Sequence, residues 1–360
     1  MKKRKSLLQL DISIGRVPLV QKAVFAKHLA VMLKSGLLIN EALAIAEESA
    51  RGKMKRVIED VKKSVESGNT LSSSLGKHPK IFSGLFVDVA RAGEESGTLA
   101  QNLGNIANQL EKEANLKSKI KSAMAYPVVV LVAAFIMALA MAYYVLPQIT
   151  PLFTGLNIEL PVTTRIVIWF SNVVQQYGDK LFLGIILFIL AAAWTVRQKF
   201  SYPVTHGLFL RVPLLKKISM NSNLARFSLT LGTLLKSGLV IDEALDITTR
   251  TVSNFYYRRA IGRAAKKIQK GGGLAPNLIL EQSLFPRLVS SMVHVGEQSG
   301  TLDETLLYLA DFYEREVDSS TKAFTIALEP MLLIVVGVVV ATLALSIITP
   351  IYEITGNIGR

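Results

Sequence analysis

Few side chains in this sequence are of the types that carry out chemistry, and those few are not arranged to do it. Four histidines, His28, His78, His206 and His294, are scattered along 360 residues, with no His-Glu-x-x-His pair that could hold a metal and aim a base. No serine stands in a Gly-x-Ser-x-Gly elbow. Gly271-Gly272-Gly273-Leu274 is rich in glycine as phosphate loops are, but it lacks the lysine of a Gly-x-x-x-x-Gly-Lys-Ser/Thr loop and follows no strand pattern. Asp311, Glu314 and Glu316, or Glu111 and Glu113, are oxygen ligands that could suit a hard cation, but their spacing alternating with Lys and Arg is that of a solvated helix face. The chain has no cysteine, which removes disulfides and thiolate metal sites and agrees with a protein facing the reducing cytoplasm. No catalytic residue, cofactor site or metal site is therefore expected.

What the chain does contain is a duplication. Gly93-Glu94-Glu95-Ser96-Gly97-Thr98-Leu99 returns as Gly296-Glu297-Gln298-Ser299-Gly300-Thr301-Leu302. Leu33-Lys34-Ser35-Gly36-Leu37 returns as Leu235-Lys236-Ser237-Gly238-Leu239, and Pro127 and Pro147 return as Pro330 and Pro350. The offset is 202 residues at Phe25 and Phe227 but 203 at Gly93 and Gly296, so one single-residue indel separates two copies of one fold unit.

Half of the residues are hydrophobic and the mean hydropathy is positive. The excess sits in three runs without Asp, Glu, Lys, Arg or His: Val128 to Leu146, Leu181 to Val196 and Met331 to Thr349. A helix needs about 20 apolar residues to cross a bilayer, which the outer two runs meet; the shorter middle run is read the same way, with a buried helix of a soluble core as its alternative. Small residues at four-residue spacing, Ala134, Ala138 and Ala142, then Gly337 and Ala341, suit close packing of helices in lipid.

The net charge of +14 is distributed by segment. Lys and Arg crowd the stretches before the first run and between the second and third, while residues 148–180 contain only Arg165 and Lys180. Positive charge marks the cytoplasmic side, so the N-terminus and both large polar segments are expected there. Because the basic residues alternate with acidic ones, as in Glu111-Lys112-Glu113, no nucleic-acid partner is expected; a solvated helical surface near anionic lipid explains them. The opening Met1-Lys2-Lys3-Arg4-Lys5 is followed by too short an apolar stretch for a signal peptide. The expected division is a basic segment 1–20, a helical bundle 21–126, a membrane helix 127–147, an extracytoplasmic loop 148–180, a membrane helix 181–197, a second bundle 198–329, a membrane helix 330–350 and an extracytoplasmic tail 351–360.

Apolar residues at Val24, Phe25, Leu29, Met32 and Leu33 predict an amphipathic helix stopped at Gly36. Further helices are expected from Asn40, over about 53–66, over 71–76 and over 82–96, with counterparts in the second copy. The repeated heptad reads as a helix, a stop at Gly97 or Gly300, and a restart in which Thr98-x-x-Gln101 or Thr301-x-x-Glu304 forms a capping box. This leaves Gly93-Glu94 and Gly296-Glu297 unexplained, since a glycine within a helix costs roughly 1 kcal/mol against alanine. Something must approach closely there, either a neighbouring helix of the same bundle or a partner protein reading the carboxylate. Arg91, Gly93, Glu94, Gly97, Gly296, Glu297 and Gly300 are accordingly the candidate interaction residues. The long last helix of each copy leads directly into a membrane run. Tyr126-Pro127 and Glu329-Pro330 mark the near junctions, where a kink or restart is expected, and Pro147 and Pro350 the far ones.

In these motifs, together with Ala125-Tyr126-Pro127, Leu146-Pro147, Leu160-Pro161-Val162-Thr163-Thr164-Arg165 and the closing Pro350-Ile351-Tyr352-Glu353, the chain resembles the type II secretion system F family from about residue 20 to its end. These are polytopic platform proteins at the base of type II secretion machines and type IV pili. The resemblance implies an all-α membrane protein with two homologous cytoplasmic helical bundles of six helices each and three transmembrane helices, multi-pass in the inner (cytoplasmic) membrane. It implies as partners a cytoplasmic assembly ATPase, pilin or pseudopilin subunits, other inner-membrane assembly proteins and the lipid bilayer; self-association is expected too. The basic cluster Met1 to Lys5 is not part of the family pattern. The function so implied is mechanical coupling without enzymatic chemistry. A polytopic transporter or channel is the alternative, disfavoured by the lack of ionisable residues within the membrane runs.

Overall fold

The structure is a computed structural model that describes residues 17–145, 147, 162–196, 198, 201–211 and 213–358. The basic cluster Met1 to Lys5 and the stretch 148–161 lie outside the described residues. Among those described, the chain is all-helical, with no strand.

The first copy folds as α1 (Leu19–Lys34), α2 (Ile39–Ser49), α3 (Gly52–Glu66), α4 (Leu71–Gly76), α5 (Gly84–Glu95) and α6 (Leu99–Ala140), the last followed by a π-helical turn at Met141–Val145. After α7 (Val162–Val196) and α8 (Tyr202–Arg211), the second copy repeats the series as α9 (Pro213–Lys236), α10 (Ile241–Thr251), α11 (Phe255–Ile268), α12 (Leu274–Ile279), α13 (Arg287–Ser299) and α14 (Leu302–Ile358). Helix α8 was not foreseen. It is fastened where His206 Nδ1 accepts the Phe255 amide at 3.1 Å, at the start of α11. Burial, aided by the charge of Arg258, holds the pKa of this imidazole below its ordinary value, which favours the neutral ring that can accept.

The indel falls between α2 and α3. Two residues, Ala50 and Arg51, connect those helices, whereas three, Val252 to Asn254, connect α10 and α11. The three-residue version adds a cap, the Asn254 side chain accepting from the Tyr256 and Tyr257 amides.

Contacts divide the chain into two compact units, one of residues up to Ser118 together with His206–Asp318, the other of Lys119–Thr205 together with Ser319 onward. The helices of both copies thus share the first unit, and their buried side chains form one continuous core. In the first copy that core is built on Phe25, Phe82 and Phe86, with centroids 5.6 Å apart for Phe25–Phe82 and 5.0 Å for Phe82–Phe86. The second copy rebuilds it with Phe227, Phe285 and Tyr257, at 5.2 Å for Phe227–Phe285 and 5.4 Å for Tyr257–Phe285. The Tyr257 hydroxyl is satisfied by donating to the Leu284 carbonyl at 2.8 Å, as a buried phenol must be.

Among the described residues, two helices are long and apolar enough to cross a membrane, α6 and the Leu302–Val338 part of α14, and their apolar stretches belong to the second unit. Their side chains there are largely exposed, among them Val129, Phe135 and Ile136 on α6 and Leu333, Ile334 and Val338 on α14. The middle apolar run lies in α7, whose backbone leaves helical geometry at Tyr177, four residues before the run begins. The stretch 162–180, expected as loop, is thus helical. The restart expected at the near prolines does not occur. Helix α6 passes through Pro127, and α14 runs through Pro330 and past Pro350 to Ile358. A long helix accommodates one missing amide when hydrogen bonds on either side hold it.

The aromatic clusters carry a direct expectation. Phe82→Ala and Phe285→Ala should each cost about 3–5 kcal/mol, read as a lowered melting temperature of the full chain in detergent, whereas Val338→Ala, at an exposed position, should leave the melting of the first unit unchanged.

Candidate functional site

The repeated heptad sits where α5 turns into α6 and where α13 turns into α14. Gly97 and Gly300 adopt φ of 71° and 72°, the left-handed conformation that ends a helix without a Cβ clash. The capping boxes expected after them are not formed. The Thr98 hydroxyl donates to Ser96 Oγ and the Thr301 hydroxyl to Ser299 Oγ, both at 2.6 Å. Each serine hydroxyl also donates back into its own helix, Ser96 to the Ala92 carbonyl and Ser299 to the Val295 carbonyl.

Gly93 and Gly296 mark a close approach of neighbouring helices. A Cβ on Gly93 would lie 2.9 Å from Leu99 Cα and 3.0 Å from Asn102 Cβ, and one on Gly296 would lie 2.9 Å from Thr305 Oγ1 and 3.1 Å from Leu302 Cα. The following helix therefore folds back directly onto the glycine of the preceding one, and the loss in helix propensity is offset by that packing.

The adjacent carboxylates point into the same unit. Glu94 accepts hydrogen bonds from the Leu71 amide, from the Ser72 amide at 3.1 Å and from the Ser72 hydroxyl. Glu297 accepts from the Leu274 amide and from the Ala275 amide at 3.0 Å. These are the first amides of α4 and α12, short helices whose leading N–H groups would otherwise lack partners, and negative charge there also suits the helix dipole. In the first copy Thr70 shares the task, its hydroxyl accepting from Ser73 N at 3.2 Å; in the second the capping residue is Gly273, and the carboxylate does it alone. Arg91 is exposed and pairs with Asp88 at 3.5 Å, so the structure does not bring it to Glu94.

Sequence reasoning missed a second cluster, the seam between the two copies. The Asn102 side-chain amide donates to the Ser237 carbonyl at 3.1 Å and to the Val89 carbonyl at 3.3 Å. Asn105 donates to the Ser237 hydroxyl at 3.2 Å and Gln109 to the Thr230 hydroxyl at 3.1 Å. Lys112 pairs with Asp311, and Arg226 with Glu113 at 3.6 Å. Gln109 and Arg226 also wall a small cavity of about 20 Å³, beside Lys112, Glu113 and Glu314, large enough for a water molecule. Three of the five acidic groups considered as cation ligands are engaged with cations of the protein: Glu111 with Lys27, Glu113 with Arg226 and Asp311 with Lys112.

Tyr126 is exposed on α6, and Pro127, Glu329 and Pro330 lie within uninterrupted helix. The near-junction residues therefore sit within continuous helix. Nothing in this arrangement supplies a nucleophile with a base beside it, and no group of three or more His, Cys, Asp or Glu able to hold a metal occurs among the described residues. What the arrangement can do is hold two duplicated helix turns rigidly and join them to apolar rods.

Comparison with known proteins gives the same duplication. The family model for type II secretion system (T2SS) protein F matches twice, over residues 25–147 and 227–350. The type IV pilus assembly protein PilC of Thermus thermophilus is 40% identical over 342 residues, covering 94% of this chain and 83% of that one. PilC of Pseudomonas aeruginosa is 31% identical over 362 residues, covering 100% and 96%. The type II secretion system protein F of Aeromonas hydrophila is 32% identical over 340 residues, covering 94% and 87%.

Two expectations follow from the heptad. Glu94→Ala should destabilise the first unit by about 2 kcal/mol, since it orphans three donors of α4 that bind a charged acceptor, and chemical denaturation of the full chain should show it. Gly93→Ala should lower stability by about 1–3 kcal/mol through overpacking despite the better helix former, whereas Gly104→Ala, whose Cβ would meet only Ala30 Cβ at 3.9 Å, should be neutral or stabilising in the same assay.

Proposed function

The chain belongs to the type II secretion system protein F family, and from that membership we propose that it is an inner-membrane platform protein of a type IV pilus or type II secretion assembly machine. In this reading it couples a cytoplasmic assembly ATPase to the placing of pilin or pseudopilin subunits in a growing fibre. It is not itself an enzyme, and the energy comes from the ATPase. The N-terminus and both repeats face the cytoplasm; three helices cross the inner membrane; the near junctions at Tyr126-Pro127 and Glu329-Pro330 lie at the cytoplasmic surface and Pro147 and Pro350 toward the far side.

One observation carries the coupling. In both copies a single helix begins in the packed unit, at Leu99 or Leu302, and continues into apolar sequence, so a displacement of the turn at Gly97 or Gly300 is passed along the rod and not absorbed by a flexible link. Partner contacts are placed on the outer side of these turns, where Arg91 is exposed. Glu94 and Glu297 hold the turns from within, and Gly93 and Gly296 set the spacing.

The test is purification of the full chain from detergent-solubilised membranes of its own cell. An assembly ATPase and pilin-like subunits are expected to co-purify, and Arg91→Glu should reduce the recovered ATPase at unchanged melting temperature. Recovery of neither partner, ATP hydrolysis by the purified chain alone, or protease mapping that places either repeat outside the cytoplasm would overturn the proposal.

A further inference from the structure

The two copies meet head to tail, and that leaves one face of each without a partner. In the seam, the α5–α6 face of the first copy lies against the α9–α10 face of the second, through the hydrogen bonds of Asn105 and Gln109 to Ser237 and Thr230. If the copies were related by a two-fold rotation, the equivalent α13–α14 face would lie against α1–α2 in the same way. It does not. Ile247 on α10 is 2% exposed, but its counterpart Ile45 on α2 is 48% exposed; Leu85 on α5 is 4% exposed, but its counterpart Leu288 on α13 is 45% exposed.

The chemistry of the open α1–α2 face is that of a surface meant to be covered. Val20, Val24 and Val31 are four and seven residues apart, so they form one stripe on α1, and Leu38 and Ile45 continue it onto α2; all five are exposed. At the corresponding seam positions of the second copy stand Ser222, Arg226 and Thr233, then Ile247, whereas Val240, the counterpart of Leu38, is exposed as Leu38 is. On the opposite open face, Tyr308 of α14 and Leu288 and Val295 of α13 are exposed, and Tyr308 occupies the place that Asn105 holds in the seam. Where the seam between copies of one chain has Arg226, Thr233 and Asn105, the equivalent free faces have Val24, Val31 and Tyr308, which makes both free faces more apolar and matches them to each other.

We propose that the α1–α2 face of one chain is covered by the α13–α14 face of a second copy of the same chain, in the geometry by which α9–α10 covers α5–α6 within a chain. This contact is heterologous: the surface given differs from the surface received. Repetition of such a contact closes into a ring or runs on as an array, and does not stop at a symmetric dimer. It places Ser35 of one copy beside Tyr308 of the next, as Ser237 lies beside Asn105 within the chain. It stands on the exposure and identity of these residues and does not depend on the proposed function.

The absence of native cysteine makes the test direct. The full chain carrying Ser35→Cys and Tyr308→Cys, oxidised in membranes, should give a ladder of intermolecular disulfides. Chains carrying only one of the two should cross-link at least tenfold less, and a mixture of the two single variants should give mixed dimers. Asn105→Cys with Ser237→Cys, which should close within one chain, calibrates the geometry. Independently, Val24→Asp with Val31→Asp, at exposed positions that tolerate polar residues, should lower the particle mass in nanodiscs to that of one chain with unchanged melting temperature. Equal cross-linking by Ser35→Cys alone would mean a symmetric contact and overturn the proposal. So would an absence of intermolecular product from the double-cysteine chain while the calibrating pair closes, or an unchanged mass for the aspartate variant. Loss of fibre assembly at unchanged mass would assign the face to a different protein and overturn it as well.

Discussion

Two short helices need caps, and two carboxylates supply them. A helix of six residues such as α4 or α12 has almost as many unpaired leading amides as residues, and it cannot sit in a packed core unless something accepts from them. Glu94 and Glu297 do this from the last turn of the next long helix, and they reach because Gly93 and Gly296 let α6 and α14 fold back closely. The same few residues therefore fix the short helix, the turn and the direction in which the long helix leaves.

The local part of this was legible in the sequence. Stops at Gly97 and Gly300, the bounds of α4, and the breaks between α1, α2 and α3 carry their own signals within a few residues, and the helices were expected nearly where they lie. The partner of Glu94 was not legible, because it lies 23 residues back, beyond the reach of any spacing rule. A glycine at odds with its helix showed that something approached, and both a neighbouring helix and a partner protein remained open until the coordinates showed the former. The capping boxes failed for the opposite reason: the pattern was present, but the threonine hydroxyls turn back to the serines of the preceding turn, Thr98 to Ser96 and Thr301 to Ser299. At Pro127 and Pro330 the local rule against proline within a helix yielded to the many hydrogen bonds on either side.

The seam was hidden because polar residues on an amphipathic helix read as solvent-facing. Asn102 and Gln109 are seven residues apart on α6 and both are buried, each matched to an acceptor that only the second copy provides. Had the copies been compared position by position, the exchange of Val24 for Arg226 and of Tyr308 for Asn105 would have pointed to faces in different surroundings. Duplicated units diverge first where their environments differ, and the buried positions that stay alike, such as Phe25 with Phe227 and Phe82 with Phe285, are those where the environment is the same.

Continuity of α6 and α14 has one more consequence, which concerns angular phase. An α-helix turns about 100° per residue, so inserting or deleting a single residue between the core positions of either rod and its apolar stretch would swing everything beyond it by more than a quarter turn. The two copies differ in length by one residue, and that difference lies in the loop between α2 and α3, where the connection to the next helix can absorb it. From Gly93 and Gly296 through Pro127 and Pro330 to Pro147 and Pro350 the offset stays at 203. Up to Ala140, where the first rod passes into its π-helical turn, both shafts have therefore kept the same azimuthal timing along their own axes.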